Sequence, residues 1–155
     1  MGWNRYPLRG KSEASPACGL AAVSRIPQSM ENWRITPDGA VEATFWYEGK
    51  EWTPYQLAPP GSASPQGGLA VVSRIPQSME LWWPTTDGAV EAAYWYEGKE
   101  WSRYQIAPPG SASPQGGISA VSRIPQSMEL WWPTTDGAVE AAYWYEGKEW
   151  SRYQI

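Results

Sequence analysis

Histidine is absent from this chain, which also has one cysteine, one phenylalanine and no run of basic residues. Without imidazole there are no Ser-His-Asp or Cys-His catalytic arrangements, and the commonest metal ligand is missing. Chemistry would have to rest on carboxylates or lysines, and no cofactor is expected. The single thiol, Cys18, cannot form an intramolecular disulfide, and it stands where Gly67 and Gly116 recur. A formal net charge of −4 with no basic stripe argues against binding nucleic-acid phosphates. No apolar stretch approaches the ~20 residues of a membrane span, and no signal peptide is visible. The compartment is left open between the cytoplasm and release by a non-classical route.

What the chain has instead is indole and phenol: twelve Trp and nine Tyr. Each carries a polar atom on a large apolar body, which suits half-wet surfaces and binding faces as well as cores. The second abundance is repetition. The stretch SRIPQSME begins at Ser24, Ser73 and Ser122, so a 49-residue unit is read three times. A fixed period of this length marks a propeller or solenoid, whose units bury their faces against one another.

The middle copy reads as strands. Leu69–Ile75 is apolar and β-branched up to Pro76, and Met79–Trp83 follows a short turn. Asp87-Gly88 is a hairpin signal before Ala89–Tyr96, and Glu97-Gly98-Lys99 turns the chain into Trp101–Ile106. No segment sustains a 3.6-residue apolar period, so helices are not expected. Four strands ~4.8 Å apart put the outer edge about 14 Å from the inner strand. The ten residues Ala107–Gly116 span at most ~33–36 Å, enough to return to the next centre. Their Pro, Gly and Ser content would also compose a flexible spacer.

The expected fold is therefore all-β: a β-propeller of four-stranded antiparallel blades, three per chain, with the ring completed by oligomerisation. The expected divisions are an extra outer strand and linker over 1–17, blade 1 over 18–66, blade 2 over 67–115 and blade 3 over 116–155. The first of these follows from Trp3, Tyr6, Ser15 and Pro16 matching Trp52, Tyr55, Ser64 and Pro65, which makes Trp3–Leu8 a fourth strand with no blade of its own. It could pair with another subunit. The frame begins in mid-unit, as an excised piece of a longer array would. Three blades leave open ends; two chains close six blades and three close nine.

Alternation puts Glu80 and Trp82 on one sheet face, with Met79, Leu81 and Trp83 on the other. In the third strand Glu91, Ala93 and Trp95 share a face, opposite Ala92, Tyr94 and Tyr96. Aromatic hollows bordered by Arg and Glu suit a sugar, whose C–H face stacks on a ring while its hydroxyls take charge-assisted hydrogen bonds. The recurring candidates are Arg25, Arg74 and Arg123; Glu31, Glu80 and Glu129; Trp33, Trp82 and Trp131; and Trp46, Trp95 and Trp144. The competing reading is an inter-blade ion pair with packing tryptophans. A glycosidase needs two carboxylates about 5–10 Å apart; Glu97 and Glu100 lie in a solvated turn repeated in each unit, so catalysis is not expected.

The motifs SRIPQSMELWW, DGAVEAAYWYEGKEW and RYQIAPPGSAS closely resemble the repeat of Photorhabdus-type seven-bladed propeller lectins. More remotely the chain is similar to fucose lectins of the Aleuria and Ralstonia type. The resemblance implies binding of fucose- or galactose-like glycans in pockets between blades, without catalysis. One family feature does not carry over. The remote lectins grip the sugar with an Arg on the second strand and a Glu on the third, where this chain has Glu80 and Ala92. The expected function is thus multivalent glycan binding by a self-associating ring; the alternative is a structural or designed self-assembling fragment with no ligand of its own.

Overall fold

The computed structural model describes residue 2 and residues 4–155, and among them it contains twelve strands and no helix. Blade 1 comprises β1 (Ala21–Val23), β2 (Ser29–Ile35), β3 (Val41–Tyr47) and β4 (Thr53–Ala58). Blade 2 comprises β5 (Ala70–Val72), β6 (Ser78–Pro84), β7 (Val90–Tyr96) and β8 (Ser102–Ala107). Blade 3 comprises β9 (Ser119–Val121), β10 (Ser127–Pro133), β11 (Val139–Tyr145) and β12 (Ser151–Gln154). Each is a separate antiparallel meander.

The inner strand is shorter than its apolar run predicts, because local polar groups end the ladder early. Ser73 Oγ donates to the Ile75 carbonyl (2.9 Å) and Ser78 N–H to the same oxygen (3.2 Å), turning the backbone after Val72. That turn releases Arg74 from the sheet. Asn4–Leu8 lie outside any strand, contrary to the reading of an extra outer strand; Trp3, its first residue, is not among the described residues. The reason is local: β4, β8 and β12 already fill the fourth position of all three blades.

The Pro/Gly/Ser linkers are pinned rather than free. Ala112 N–H donates to the Gly88 carbonyl (2.8 Å), Gly110 N–H to Asp87 (2.9 Å), and Ser113 N–H to Pro133 of the next blade (2.8 Å). Gly88 is required there twice over. Its φ is +81°, and a Cβ would stand 2.6 Å from the Ala112 carbonyl.

Blades stack face to face. Trp33, Ile35, Val41 and Ala43 of blade 1 pack on Met79, Leu81, Trp83 and Ala93 of blade 2. Trp82, Val90 and Ala92, on the far face of blade 2, pack on Met128, Leu130, Trp132 and Ala142 of blade 3. The core is therefore a pair of inter-blade layers, as the period implied. Blade 1 departs from its siblings on its outward face. Arg34 replaces Trp83 and bonds Glu42 (2.6 Å) and Thr44 (2.9 Å). The outward face of blade 3 leaves Val139, Tyr143 and Tyr153 exposed.

Candidate functional site

The register decides which candidates meet. Glu80 lies opposite Tyr94, and Trp82 opposite Ala92, so these side chains share one face of blade 2, with Tyr104 beside them. Met79 lies opposite Trp95 on the other face. A Glu and a Trp of the same copy, such as Glu80 and Trp95, therefore point apart. They converge only with the neighbouring blade: Arg25 and Glu31 face Trp95, and Arg74 and Glu80 face Trp144.

Two pockets result. Between blades 1 and 2, Glu31, Phe45, Tyr47 and Tyr55 stand across from Met79, Trp95 and Trp101, with Arg25 at the top, around a cavity of about 220 Å³. Between blades 2 and 3, Glu80, Tyr94, Tyr96 and Tyr104 stand across from Met128, Trp144 and Trp150 around about 450 Å³. The indoles are set as pairs, Trp95 to Trp101 at 6.4 Å and 35°. The same pairing, Trp46 to Trp52 at 6.4 Å and 34°, is already formed on the outward face of blade 1, where no blade stands against it.

Arg74 enters its pocket from the turn after β5. Its Nε donates to Glu80 (2.9 Å) and its Nη2 to the Tyr96 hydroxyl. The guanidinium carbon sits 5.3 Å from the Tyr96 ring centre and 4.9 Å from that of Trp144, so the cation is sandwiched between aromatic rings. Both partners are more than nine-tenths buried, yet Arg74 Nη1 and Glu80 Oε2 have no hydrogen-bond partner. A donor and an acceptor are thus left free beside ring faces. In blade 3 the same pair, Arg123 and Glu129 (3.0 Å), lies on the open face, with Arg123 55% exposed.

Two of the sequence candidates are corrected. Trp33 and Trp82 are fully buried, and the Trp33 ring meets Tyr55 (5.4 Å) and Trp101 (5.6 Å) edge-on as part of the inter-blade core. Neither lines a pocket. Trp131, their counterpart, is half-buried on the open face of blade 3, and Trp46 is half-buried on that of blade 1. The residues missed by sequence reading are Tyr47/Tyr96, Tyr55/Tyr104, Met79/Met128, Trp101/Trp150 and Gln77. Part of this was legible, because the Asp87-Gly88 hairpin sets Glu80 opposite Tyr94. An Arg and a Glu do meet in the pocket, but from other places in the repeat: Arg74 from the turn after β5 and Glu80 from β6.

Burial pushes the Glu80 carboxyl from its ordinary 4.5 up to about 7, against the pull of Arg74, and moves Glu31 in the same direction. Such a group holds its proton more tightly folded than unfolded. Its contribution is complete below about pH 4.5 and is lost as the pH rises through about 7. Asp87 and Asp136, held low by the Thr85 and Thr134 hydroxyls, act only below this window. Urea denaturation is therefore expected to show lower stability at pH 7.5 than at pH 5, by up to about 3 kcal/mol. Glu80→Gln should flatten the profile; an unchanged slope would place the titration elsewhere.

No family model and no curated protein matches the sequence. Solved structures do. BP39L lectin from Burkholderia pseudomallei superposes with a TM-score of 0.88 at 20% identity, over 99% of this chain and 45% of that one. SapL1 lectin, solved in complex with α-methyl fucoside, gives 0.73 at 19% identity over 92% and 50%. The Aleuria aurantia lectin, described as a six-bladed β-propeller with a novel fucose recognition mode, gives 0.67 at 15% identity over 92% and 46%. The chain spans about half the length of these neighbours. At this identity the likeness is one of fold: the three sheets are β-propeller blades. These neighbours bear on the more remote of the two sequence resemblances, while the Photorhabdus-type one remains an expectation of the sequence.

Proposed function

We propose that this protein is a non-catalytic, multivalent glycan-binding protein that takes a fucose- or galactose-type sugar in its inter-blade pockets. The observation that carries this reading is the buried Arg74–Glu80 pair with one free donor and one free acceptor, set beside the rings of Trp144 and Trp150. A pyranose presents the complementary chemistry: an apolar C–H face for the indoles and adjacent hydroxyls that accept from Arg and donate to Glu. Among the described residues each pocket wall holds one carboxylate, where glycoside hydrolysis needs two. The structural neighbours solved with α-methyl fucoside and with Fucα1-6GlcNAc support the sugar class.

Two copies complete the ring. The open face of blade 3 carries Arg123, Glu129, Tyr143 and Tyr145, and that of blade 1 carries Met30, Trp46 and Trp52: the two halves of the same pocket. Six blades match the count of the Aleuria lectin. Shallow single sites are weak, and a ring that displays several gains affinity for a glycan-coated surface by raising effective concentration.

Titration with α-methyl-L-fucoside and methyl α-D-galactoside, with light scattering on the same sample, tests both parts. Saturable binding of one sugar and a particle of twice the 17.3 kDa chain mass are expected. Binding of neither sugar would leave a self-assembling fragment without a ligand, and a monomer would overturn the ring.

A further inference from the structure

The two complete pockets are built from the same repeat positions but differ in what they leave free. In the turn Ile75-Pro76-Gln77-Ser78, Gln77 sits at φ +63°, in the left-handed region that a side chain without β-branching tolerates only at a cost. The side chain held there reaches back to the previous blade. Its Nε2 donates to Glu97 (2.9 Å), and its Oε1 accepts from Arg25 Nη1. Each Arg25 nitrogen then has a partner, with Nε on Glu31 (3.0 Å) and Nη2 on the Tyr47 hydroxyl. One repeat later the same glutamine is anchored in the same way, Gln126 Nε2 to Glu146 (3.1 Å), but the bridge is not made: Gln126 Oε1 and Arg74 Nη1 both lack partners. A second difference points the same way. The position of Tyr94 in the blade 2–3 pocket is occupied by Phe45 in the blade 1–2 pocket, which removes one hydroxyl from the wall.

We infer that the two pockets are unequal: the blade 2–3 pocket is the primary sugar site, and the blade 1–2 pocket is capped from within by the Gln77 amide, which occupies the guanidinium donor a ligand would use. This rests on the glycan-binding reading above and assigns Gln77 and Phe45 as the residues that set the difference. A sugar entering the first pocket must break the Gln77–Arg25 bond or forgo that donor. A hydrogen bond to a charged group is at stake, so a roughly tenfold or greater difference in affinity is expected. The half-volume of the first cavity, about 220 against 450 Å³, acts in the same direction.

Trp95 and Trp144 report on the two pockets separately. With 5-fluorotryptophan incorporated and these two signals assigned by single Trp→Phe variants, α-methyl-L-fucoside or methyl α-D-galactoside is titrated and followed by fluorine NMR. The Trp144 signal should move at roughly tenfold lower sugar concentration than that of Trp95. Gln77→Ala, which keeps a Cβ at the strained turn position, should bring the Trp95 midpoint toward that of Trp144, and Phe45→Tyr should close part of the gap. Gln126→Ala should leave the Trp144 midpoint where it was. Equal midpoints in the unmodified protein, or a Trp95 midpoint unmoved by Gln77→Ala, would overturn the inequality while leaving sugar binding intact. If neither signal responds to either sugar, the glycan reading itself falls, and the inequality with it.

Discussion

Alanine in place of Trp82 is expected to destabilise the protein by about 3–5 kcal/mol, the range for truncating a large buried aromatic, and to move the urea midpoint accordingly. The ring is fully buried and belongs to the layer between blades 2 and 3, meeting Trp150 edge-on at 6.2 Å. Little in that layer can collapse into the space, because Leu130 and Trp132 are themselves fully packed. The milder Trp82→Phe should fold and bind sugar with unchanged affinity, since Trp82 lines neither pocket. Trp144→Ala should do the reverse. That indole is half-buried against Arg74, so its loss costs less stability but takes away a stacking wall, and affinity at the blade 2–3 pocket should fall at least tenfold. Loss of binding in Trp82→Phe at full stability would return Trp82 to the site.

Removing Arg74 is the second change with a large expected effect. Arg74→Ala leaves Glu80, 1% exposed, without its cation, and breaking a buried pair from one side costs about 3–5 kcal/mol. The low end of that range is expected, because a carboxyl already pushed up to about 7 answers the loss by keeping its proton. The double change Arg74→Met, Glu80→Leu removes both charges at similar volume and should recover most of the stability, since a buried ion pair is often no better than a hydrophobic one. Sugar binding at the blade 2–3 pocket should stay lost in both variants, while the Arg25–Glu31 pocket keeps its own. Recovery of stability and of binding together in the double variant would mean that the pair only packs, which was the competing reading from sequence.

Much of the architecture is legible in the sequence. The 49-residue spacing, the Asp87-Gly88 hairpin and the alternation in Met79–Trp83 predicted four strands per unit and placed Glu80 beside Trp82, as the register confirms. The extra strand at Trp3–Leu8 was read from matching residues alone. Sequence similarity to a fourth strand does not supply a third strand to pair with, and Asn4–Leu8 have none. The inner strands were overextended for a related reason: Ser73 and Ser78 compete locally for the backbone that an apolar run would otherwise commit to the ladder.

By itself the sequence determined the period, the strands and the residue types from which a sugar site could be made, because strand propensity, turn chemistry and face alternation are local properties of a few neighbouring residues. Only the tertiary structure decided which tryptophans are core and which are wall. Trp82 and Trp95 are alike in strand context, and their fates differ because Trp82 faces the buried layer against the next blade while Trp95 meets Arg25 of the previous one at the pocket. It also decided that each pocket takes its Arg and Glu from one repeat and its indoles from the next. A match between faces a whole repeat apart depends on how blades stack, and no local pattern encodes that geometry.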